Sequence, residues 1–182
     1  HAKKVIDKAG IDSLTVDLTE THNNLFTSIQ IELEKNKQLN TEQQQLADAN
    51  LRARLRMSTL YALAANYNYL VVGTDNAAEW YTGYFTKFGD GGVDLVPLVH
   101  QPKGVVSEIA KYVGVPEEVI NKKPSAGLWE GQTDENEMGT TYNMIDAYLK
   151  GEEVPEKDKQ IIERLHQRTA HKRAIAKGPD KF

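Results

Sequence analysis

The stretch Tyr69-Leu-Val-Val-Gly-Thr-Asp-Asn-Ala-Ala-Glu79 decides the fold prediction. It opens with a continuous apolar run that ends in Gly73-Thr74, and such a run predicts a buried parallel strand. The residues from Asn76 to about Phe85 are predicted to form the helix that follows this strand. A strand followed at once by a helix favours an α/β fold, in which ligands bind beyond the carboxyl ends of the strands.

Strands and helices also alternate on both sides of this stretch. Further strands are predicted for residues 14–18 and 93–98, and helices for residues 2–9, 19–34 (capped by Thr19 or Thr21), 41–66, 103–113, 116–121, 141–149 and 156–167. This order predicts a doubly wound, mostly parallel sheet with flanking helices. Residues 124–139 lack apolar periodicity, so we predict a long mobile loop there, of the kind that often acts as a lid.

Composition narrows the function classes. The 182 residues suffice for one ordinary domain, and the formal net charge of −4 argues against a generic nucleic-acid or anionic-membrane binder. The absence of cysteine excludes disulfide scaffolds, thiolate zinc sites, iron–sulfur clusters and a cysteine nucleophile. No apolar run approaches the length of a membrane span. We therefore expect a cytoplasmic protein with no membrane and no nucleic-acid partner.

The turn after the first strand carries candidate ligand-binding residues. Thr74 and Asp75 are predicted to lie at the carboxyl edge of the sheet, where the Thr74 hydroxyl could contact a nucleotide. Glu79 follows Asp75 by one helical turn, and the two carboxylates could hold a divalent cation together with phosphate oxygens. In the alternative, which the residues alone favour, Asp75 caps the helix and Glu79 interacts with the helix dipole.

A second candidate is the glycine-rich stretch Thr86-Lys-Phe-Gly-Asp-Gly-Gly92. Its glycines leave backbone N–H groups accessible to an anion, and Lys87 adds positive charge. Asp90 and Asp94 add acceptors for sugar hydroxyls, or a base that activates a nucleophile. A simple glycine-rich turn explains the stretch equally well.

Two basic segments complete the candidates. Arg54 is predicted to point away from Arg52 and Arg56 on the helix 41–66, which would let one arginine bind a ligand phosphate. The tail His171-Lys-Arg173 could fold over an anion. For both segments the alternative, a solvated basic surface, is favoured by the residues alone.

Taken together and in order, these motifs closely resemble the ammonia-dependent NAD synthetases. The resemblance runs from about Asp12 to the C-terminus and rests on Leu70–Glu79, Thr82–Leu95, Lys123–Glu135, Tyr142 with Ile145-Asp-Ala-Tyr148, and His171-Lys-Arg173. It implies an adenine nucleotide alpha hydrolase-like fold and a two-step reaction. ATP adenylates the nicotinate carboxylate of deamido-NAD, and ammonia then displaces AMP to give NAD.

The resemblance also implies a role for each matching residue. ATP contacts are expected at Thr74, Lys103 and Ser125, and a magnesium ligand at Glu79. Contacts to deamido-NAD are expected at Arg54, Lys87, Asp94, His171 and Lys172. Asp90 is the candidate for the group that positions or deprotonates ammonia. The family consists of homodimers, and the alanine-rich stripe of the helix 41–66 is a candidate for the interface.

One family motif is not found in the sequence. The ATP pyrophosphatases, to which NAD synthetases belong, carry a Ser-Gly-Gly-x-Asp-Ser phosphate loop after their first strand. We therefore interpret residues 1–182 as a single NAD synthetase domain that is truncated at its N-terminus and lacks its first strands, and we expect these residues alone to form little NAD. The alternatives are an inactive paralogue that binds nucleotide or only dimerises, and another ATP pyrophosphatase that amidates or thiolates a different acid.

Overall fold

The computed structural model describes residues 1–127, 129, 131–176 and 178–179. In this part of the chain the helices are α1 (Ala2–Ala9), α2 (Thr19–Lys35), α3 (Gln44–Tyr67), α4 (Ala77–Thr82), α5 (Lys103–Tyr112), α6 (Glu117–Ile120), α7 (Asp134–Met138), α8 (Tyr142–Leu149) and α9 (Glu156–Arg168). Short 3₁₀ turns lie at Thr41–Gln43 and Ala170–Lys172. All eight predicted helices are confirmed within a few residues.

The predicted strands are reduced to one pair of residues. Val72 and Leu95 form an isolated bridge with the predicted parallel sense, and Gly73 N donates to Leu95 O at 2.7 Å. The N–H of Val71 donates instead to the Asp94 carboxylate at 2.7 Å, so a side chain replaces the neighbouring strand as acceptor. Because a strand needs a paired neighbour for its backbone groups, no sheet extends from this bridge within the described residues.

Two further details of the strand prediction are wrong. Val71 is buried, but Leu70 and Val72 are 65% and 56% exposed, so the run is not a fully buried strand. Residues 14–18, which the structure describes in full, have no regular secondary structure, and the side chains of Leu14 and Val16 are exposed. Alternation along the sequence forms a strand only where a partner strand satisfies its backbone.

The chain divides into two compact units. The first unit contains His1–Asp12, Thr74–Phe85 and the described residues of Pro97–Phe182, and therefore α1 and α4 to α9. The second unit contains Ser13–Gly73 and Thr86–Val96, and therefore α2 and α3. No helix in the described ranges has the length and apolar character needed to cross a membrane.

The core of the first unit is formed by α4, α7, α8 and α9. Its buried members are Ala78, Met138, Tyr142, Ile145 and Ile162. Full burial of an isoleucine side chain contributes about 1.5–3 kcal/mol. This core fixes the start of α8 against α4, which matters for the site described below.

In the second unit, α2 packs against α3. The His22 ring is buried and its Nε2 lies 3.0 Å from Asp48 Oδ1. The glycine-rich stretch Thr86–Gly92, from here on called the glycine-rich loop, also packs on α3. A Cβ added to Gly89 would lie only 2.9 Å from Ala53 Cβ. A Cβ on Gly92 would lie 3.0 Å from Met57 Cγ. Part of the alanine-rich stripe predicted for a dimer interface is thus covered by this chain's own loop.

Two local predictions need correction. The segment 124–139 contains α7, whose Asp134 and Met138 are buried, so the prediction of an irregular loop is wrong for residues 134–138. Tertiary burial stabilises this one-turn helix, which is too short to show periodicity in sequence. Leu128 and Glu130 of the same segment lie outside the described residues. The prediction that Thr19 or Thr21 caps α2 is wrong, because its N-cap is Leu18 and no side chain caps it. Thr19 is inside the helix, and its N–H donates to Asp17 Oδ1 at 2.9 Å.

Candidate functional site

The predicted site residues lie in two groups, one in each unit. The first unit holds Thr74, Glu79, Lys103, Ser125, His171 and Lys172, and the second unit holds Arg54, Lys87, Asp90 and Asp94. The residues implied for ATP and magnesium therefore all belong to the first unit. Those implied for deamido-NAD are divided between the two units.

Glu79 is fixed by its own helix. Asn76, and not Asp75, is the N-cap of α4: its side chain accepts hydrogen bonds from Ala78 N at 3.0 Å and Glu79 N at 3.1 Å. Glu79 Oε2 in turn accepts from Asn76 N at 3.0 Å, which completes a capping box. The alternative in which Asp75 caps this helix is wrong, because the amide of Asn76 reaches the first-turn N–H groups.

The other carboxylate oxygen of Glu79 meets Lys103. Lys103 Nζ donates to Glu79 Oε1 at 3.1 Å, and the two side chains are 27% and 15% exposed. The same ammonium lies 4.5 Å from the centroid of the Tyr142 ring, within cation–π range. The structure thus brings together one residue implied for ATP and the residue implied for magnesium.

Tyr142 is a member of this group to which sequence reasoning gave no role. Its hydroxyl lies 3.0 Å from Glu79 Oε1 and 2.8 Å from Asp134 Oδ2. Burial, reinforced by these two carboxylates, raises the pKa of Tyr142 far above its ordinary value. The phenol is therefore a permanent donor between two acidic side chains. We call Glu79, Lys103, Asp134 and Tyr142 the Glu79 cluster.

A second phenol extends the Glu79 cluster towards α7. Tyr84 Oη contacts Asp134 Oδ1 at 3.3 Å and also donates to Glu137. Burial and these two carboxylates raise the pKa of Tyr84 as well. Gln132 Nε2 donates to Glu137 Oε2 at 2.8 Å, so the segment before α7 is tied to the same acidic residues.

The carboxylate of Glu79 fits a magnesium ion that is bound together with a nucleotide. Carboxylate oxygens are hard ligands, and Mg²⁺ is usually held by one or two carboxylates, water and substrate phosphates. Among the described residues no group of three or more His, Asp or Glu side chains could hold a metal without further ligands. Glu79 therefore suits the role of a single protein ligand better than membership of an all-protein metal site.

In the second unit, the glycine-rich loop is closed by Asp90. Its Oδ1 accepts from Thr86 N at 2.9 Å, and Thr86 Oγ1 lies 2.8 Å from Asn50 Oδ1 on α3. Arg54 Nε donates to the Lys87 carbonyl at 3.3 Å. Three predicted residues, Arg54, Lys87 and Asp90, thus belong to one loop and the helix that carries it.

Asp94 joins the end of this loop to the backbone at Val71. One carboxylate oxygen accepts from Tyr61 Oη at 3.0 Å and the other from Val71 N at 2.7 Å. Burial, followed by the bond to Asp94, raises the pKa of Tyr61. The carboxylate of Asp94 is therefore oriented by both of its oxygens.

The tail residues bind the C-terminal end of α4. Lys172 Nζ donates to the carbonyls of Gly83 at 2.8 Å and Phe85 at 2.5 Å, while Arg173 Nη1 donates to Trp80 O at 3.2 Å. Burial lowers the pKa of Arg173. The alternative of a solvated terminus is wrong for these two residues, whereas His171 is exposed.

The remaining predicted residues are accessible. Thr74 is exposed, and Ser125 is half-buried with its Oγ accepting from Gly127 N at 3.1 Å. A cavity of about 550 Å³ in the second unit is lined by residues that include His22, Arg52 and Arg56, and by none of the predicted site residues.

Comparison with known proteins identifies relatives along nearly the whole chain. The NAD synthase family model matches residues 1–176. The NH(3)-dependent NAD(+) synthetase of Alkaliphilus oremlandii is 55% identical over 98% of this chain and 72% of its own length. The protein of the same name from Mesoplasma florum is 49% identical over 99% of this chain and 71% of its own length.

Solved structures give the same result. An NMN synthetase from Francisella tularensis has a TM-score of 0.88 and 43% identity, and the match covers 99% of this chain and 71% of that one. An NAD+ synthetase from Burkholderia pseudomallei has a TM-score of 0.73 and 32% identity, covering 96% of this chain and 65% of that one. The fold of the described residues is therefore that of the corresponding part of these enzymes.

Proposed function

Because this chain belongs to the NAD synthase family, we propose that it catalyses the ATP-dependent amidation of deamido-NAD by ammonia. The products are NAD, AMP and pyrophosphate. The family match along nearly the whole chain carries this proposal, and the contact between Lys103 and Glu79 supports it from geometry.

In the first step, a nicotinate carboxylate oxygen attacks the α-phosphorus of ATP and pyrophosphate leaves. We assign the ATP contacts to Thr74, Lys103 and Ser125. Negative charge builds up on the leaving pyrophosphate, and a lysine ammonium at that position stabilises it. The acyl-adenylate that forms carries one oxygen of the original carboxylate in its bond to phosphorus.

In the second step, the ammonia lone pair attacks the acyl carbon and AMP leaves. The nitrogen must lose a proton as the amide forms, and a carboxylate within reach accelerates this transfer. Asp90 is our candidate for that base. Arg54, Lys87, Asp94, His171 and Lys172 are assigned to deamido-NAD. The negative charge of this substrate suits cationic side chains.

Glu79 would hold a magnesium ion beside the phosphates of ATP. The bound ion would offset the negative charge of the triphosphate. Lys103 now neutralises the same carboxylate, so its ammonium is already placed where a triphosphate would arrive. We also propose that the protein is a homodimer. Residues 1–182 are treated as a single domain, because one family model spans both units.

An isotope experiment tests this function. The complete protein encoded by the gene is incubated with ATP, Mg²⁺, ammonium and deamido-NAD labelled with ¹⁸O at both oxygens of its nicotinate carboxylate. We expect NAD and AMP in equal amounts, with one ¹⁸O atom in the phosphate of each AMP, measured by mass spectrometry. Reactions without ATP or without ammonium serve as controls.

The other outcomes separate the alternatives. Binding of ATP without any NAD formation would favour a nucleotide-binding paralogue. Amide formation with ¹⁸O in inorganic phosphate would replace the acyl-adenylate with an acyl phosphate. NAD formation only from a different acid would assign the chain to another amidating activity.

The mononucleotide is a second candidate substrate. It is favoured by the similarity to the enzyme from Francisella tularensis, which is named an NMN synthetase. The same incubation should therefore contain nicotinic acid mononucleotide in equal concentration with deamido-NAD. We expect a higher kcat/KM for deamido-NAD, because relatives more similar in sequence bear the name NAD synthetase.

Lys87→Ala tests the assignment of the second unit to deamido-NAD. We expect KM for deamido-NAD to rise by about 10-fold or more, since a hydrogen bond to a charged group contributes roughly 1.5–3 kcal/mol. KM for ATP should change less than twofold. Lys157→Ala, at an exposed position on α9, is the matched control. An unchanged kcat/KM for deamido-NAD would remove Lys87 from the site.

A further inference from the structure

Helix α8 contacts Lys103, one of the residues that we assign to ATP, and Glu79, the residue that we assign to magnesium. Tyr142 and Asp146 lie four positions apart on α8 and therefore on one face of the helix. Both side chains are buried, at 4% and 6% exposure. The reaction proposed above gives neither residue a role, although both lie in the family-like stretch Tyr142–Tyr148.

Asp146 holds the first turn of α5. Its two carboxylate oxygens accept from Lys103 N at 3.0 Å and Gly104 N at 2.9 Å. The residue before this helix is Pro102, which has no side-chain acceptor, and the first N–H groups of a helix lack partners within it. The cap of α5 is thus supplied by another helix, and it fixes the backbone from which the Lys103 side chain extends.

Lys103 forms an ion pair with Glu79, and Tyr142 contacts the Glu79 side of that pair. Its hydroxyl carries one proton and stands between Glu79 and Asp134, while its ring lies beneath the Lys103 ammonium. A phenylalanine at this position would keep the ring and its cation–π contact. The hydroxyl is therefore the part of Tyr142 that acts on the carboxylates.

We infer that Tyr142 and Asp146 are positioning residues, through which α8 orients Glu79 and Lys103 for ATP and its magnesium ion. The inference rests on the proposed function. It assigns orientation of the ATP-binding groups to a helix that supplies no ATP contact itself. Residues that orient metal ligands typically change metal affinity or activity by about 10–100-fold when they are replaced.

The test measures binding as well as turnover. The probe is α,β-methylene-ATP, and its dissociation constant is determined with and without Mg²⁺ for the wild type, Tyr142→Phe and Tyr148→Phe. Tyr148 is a matched control, because its phenol lies on the same helix and contacts Glu163 at 3.1 Å, outside the Glu79 cluster. The three proteins are also compared for KM of ATP, KM of deamido-NAD and melting temperature.

We expect Tyr142→Phe to weaken Mg²⁺-dependent binding of the analogue about 10-fold. KM for ATP should rise in parallel, and KM for deamido-NAD should stay within twofold. Tyr148→Phe should leave both ligands unaffected. Asp146→Asn is a second variant, which acts on Lys103 through the backbone of α5. It should also weaken binding of the analogue, with a smaller effect on KM for deamido-NAD.

Three outcomes overturn the inference. Unchanged binding of the analogue by both Tyr142→Phe and Asp146→Asn would remove the positioning role and leave the proposed function intact. If KM rises equally for ATP and for deamido-NAD, and the melting temperature falls as well, α8 has only a structural role. A wild-type protein that binds no analogue and forms no NAD would overturn the proposed function and this inference together.

Discussion

Replacing Lys103 with methionine should lower kcat/KM for ATP by about 100-fold, the loss typical when one donor to a developing negative charge is removed. Methionine preserves the length of the side chain and removes the ammonium that meets Glu79 at 3.1 Å. Steady-state kinetics with varied ATP and saturating deamido-NAD measure the effect. Lys111→Met, two turns further along α5 and exposed, is the matched control and should behave as the wild type.

A double variant separates this kinetic loss from a loss of stability. Lys103→Met leaves the mostly buried carboxylate of Glu79 without its cation, which by itself lowers the free energy of unfolding. Adding Glu79→Gln removes that charge, and glutamine can keep the capping box with Asn76. The double variant should therefore regain stability and remain inactive. The single variant Glu79→Gln, measured in parallel, shows how much of that inactivity comes from the loss of the assigned magnesium ligand. Recovery of activity together with stability in the double variant would mean that neither Lys103 nor Glu79 takes part in ATP binding.

Gly83→Ala should reduce the free energy of unfolding by about 2–5 kcal/mol, because two costs act together. Gly83 has φ +68° and ends α4, and a left-handed conformation costs an L-residue about 1–2 kcal/mol. An added Cβ would also lie 2.8 Å from Thr169 Cγ2 and closer still to Thr169 Cβ and Oγ1. Overpacking of this kind costs about 1–3 kcal/mol.

Thermal and urea unfolding measure this effect. A fall of about 4–20 °C in melting temperature is expected for a chain of this size. Gly151→Ala is the matched control: Gly151 has φ +79°, and no described residue would lie within 4 Å of its Cβ. The control should show the conformational cost alone. Equal losses for the two variants would mean that contact with Thr169 is relieved by a small shift.

The helices could be predicted because their signals are local. Periodic apolar residues mark α2 and α3, and Gly10 marks the end of α1. The helix α4 was predicted to run to about Phe85, whereas Gly83 ends it in a left-handed conformation. The strands depend on partners far away in sequence, and a carboxylate can replace such a partner, as Asp94 does for Val71. The helix α7 was missed because one turn is too short to show a period.

The site was predictable to the extent that its residues lie in contiguous motifs. Gly73–Glu79 and Thr86–Gly92 carry their own signals, and the family-like order of the motifs brought in Lys103. Tyr142 and Asp134 were missed as members of the Glu79 cluster because their contacts arise from packing between α4, α7 and α8. Glu79 and Tyr142 are 63 positions apart. The available signal was that Asp134 and Tyr142 each lie in a family-like stretch.

The attachment of the tail to α4 has a consequence for the order of folding. Lys172 and Arg173 bind carbonyls near the end of a six-residue helix that lies 87 to 93 positions earlier. A helix of that length is not stable by itself in water. During synthesis on a ribosome, the C-terminal end of α4 therefore gains these bonds only after the segment that contains Arg173 has emerged. A nascent chain that stops before residue 172 would lack the lysine and arginine bonds that hold this end of the helix.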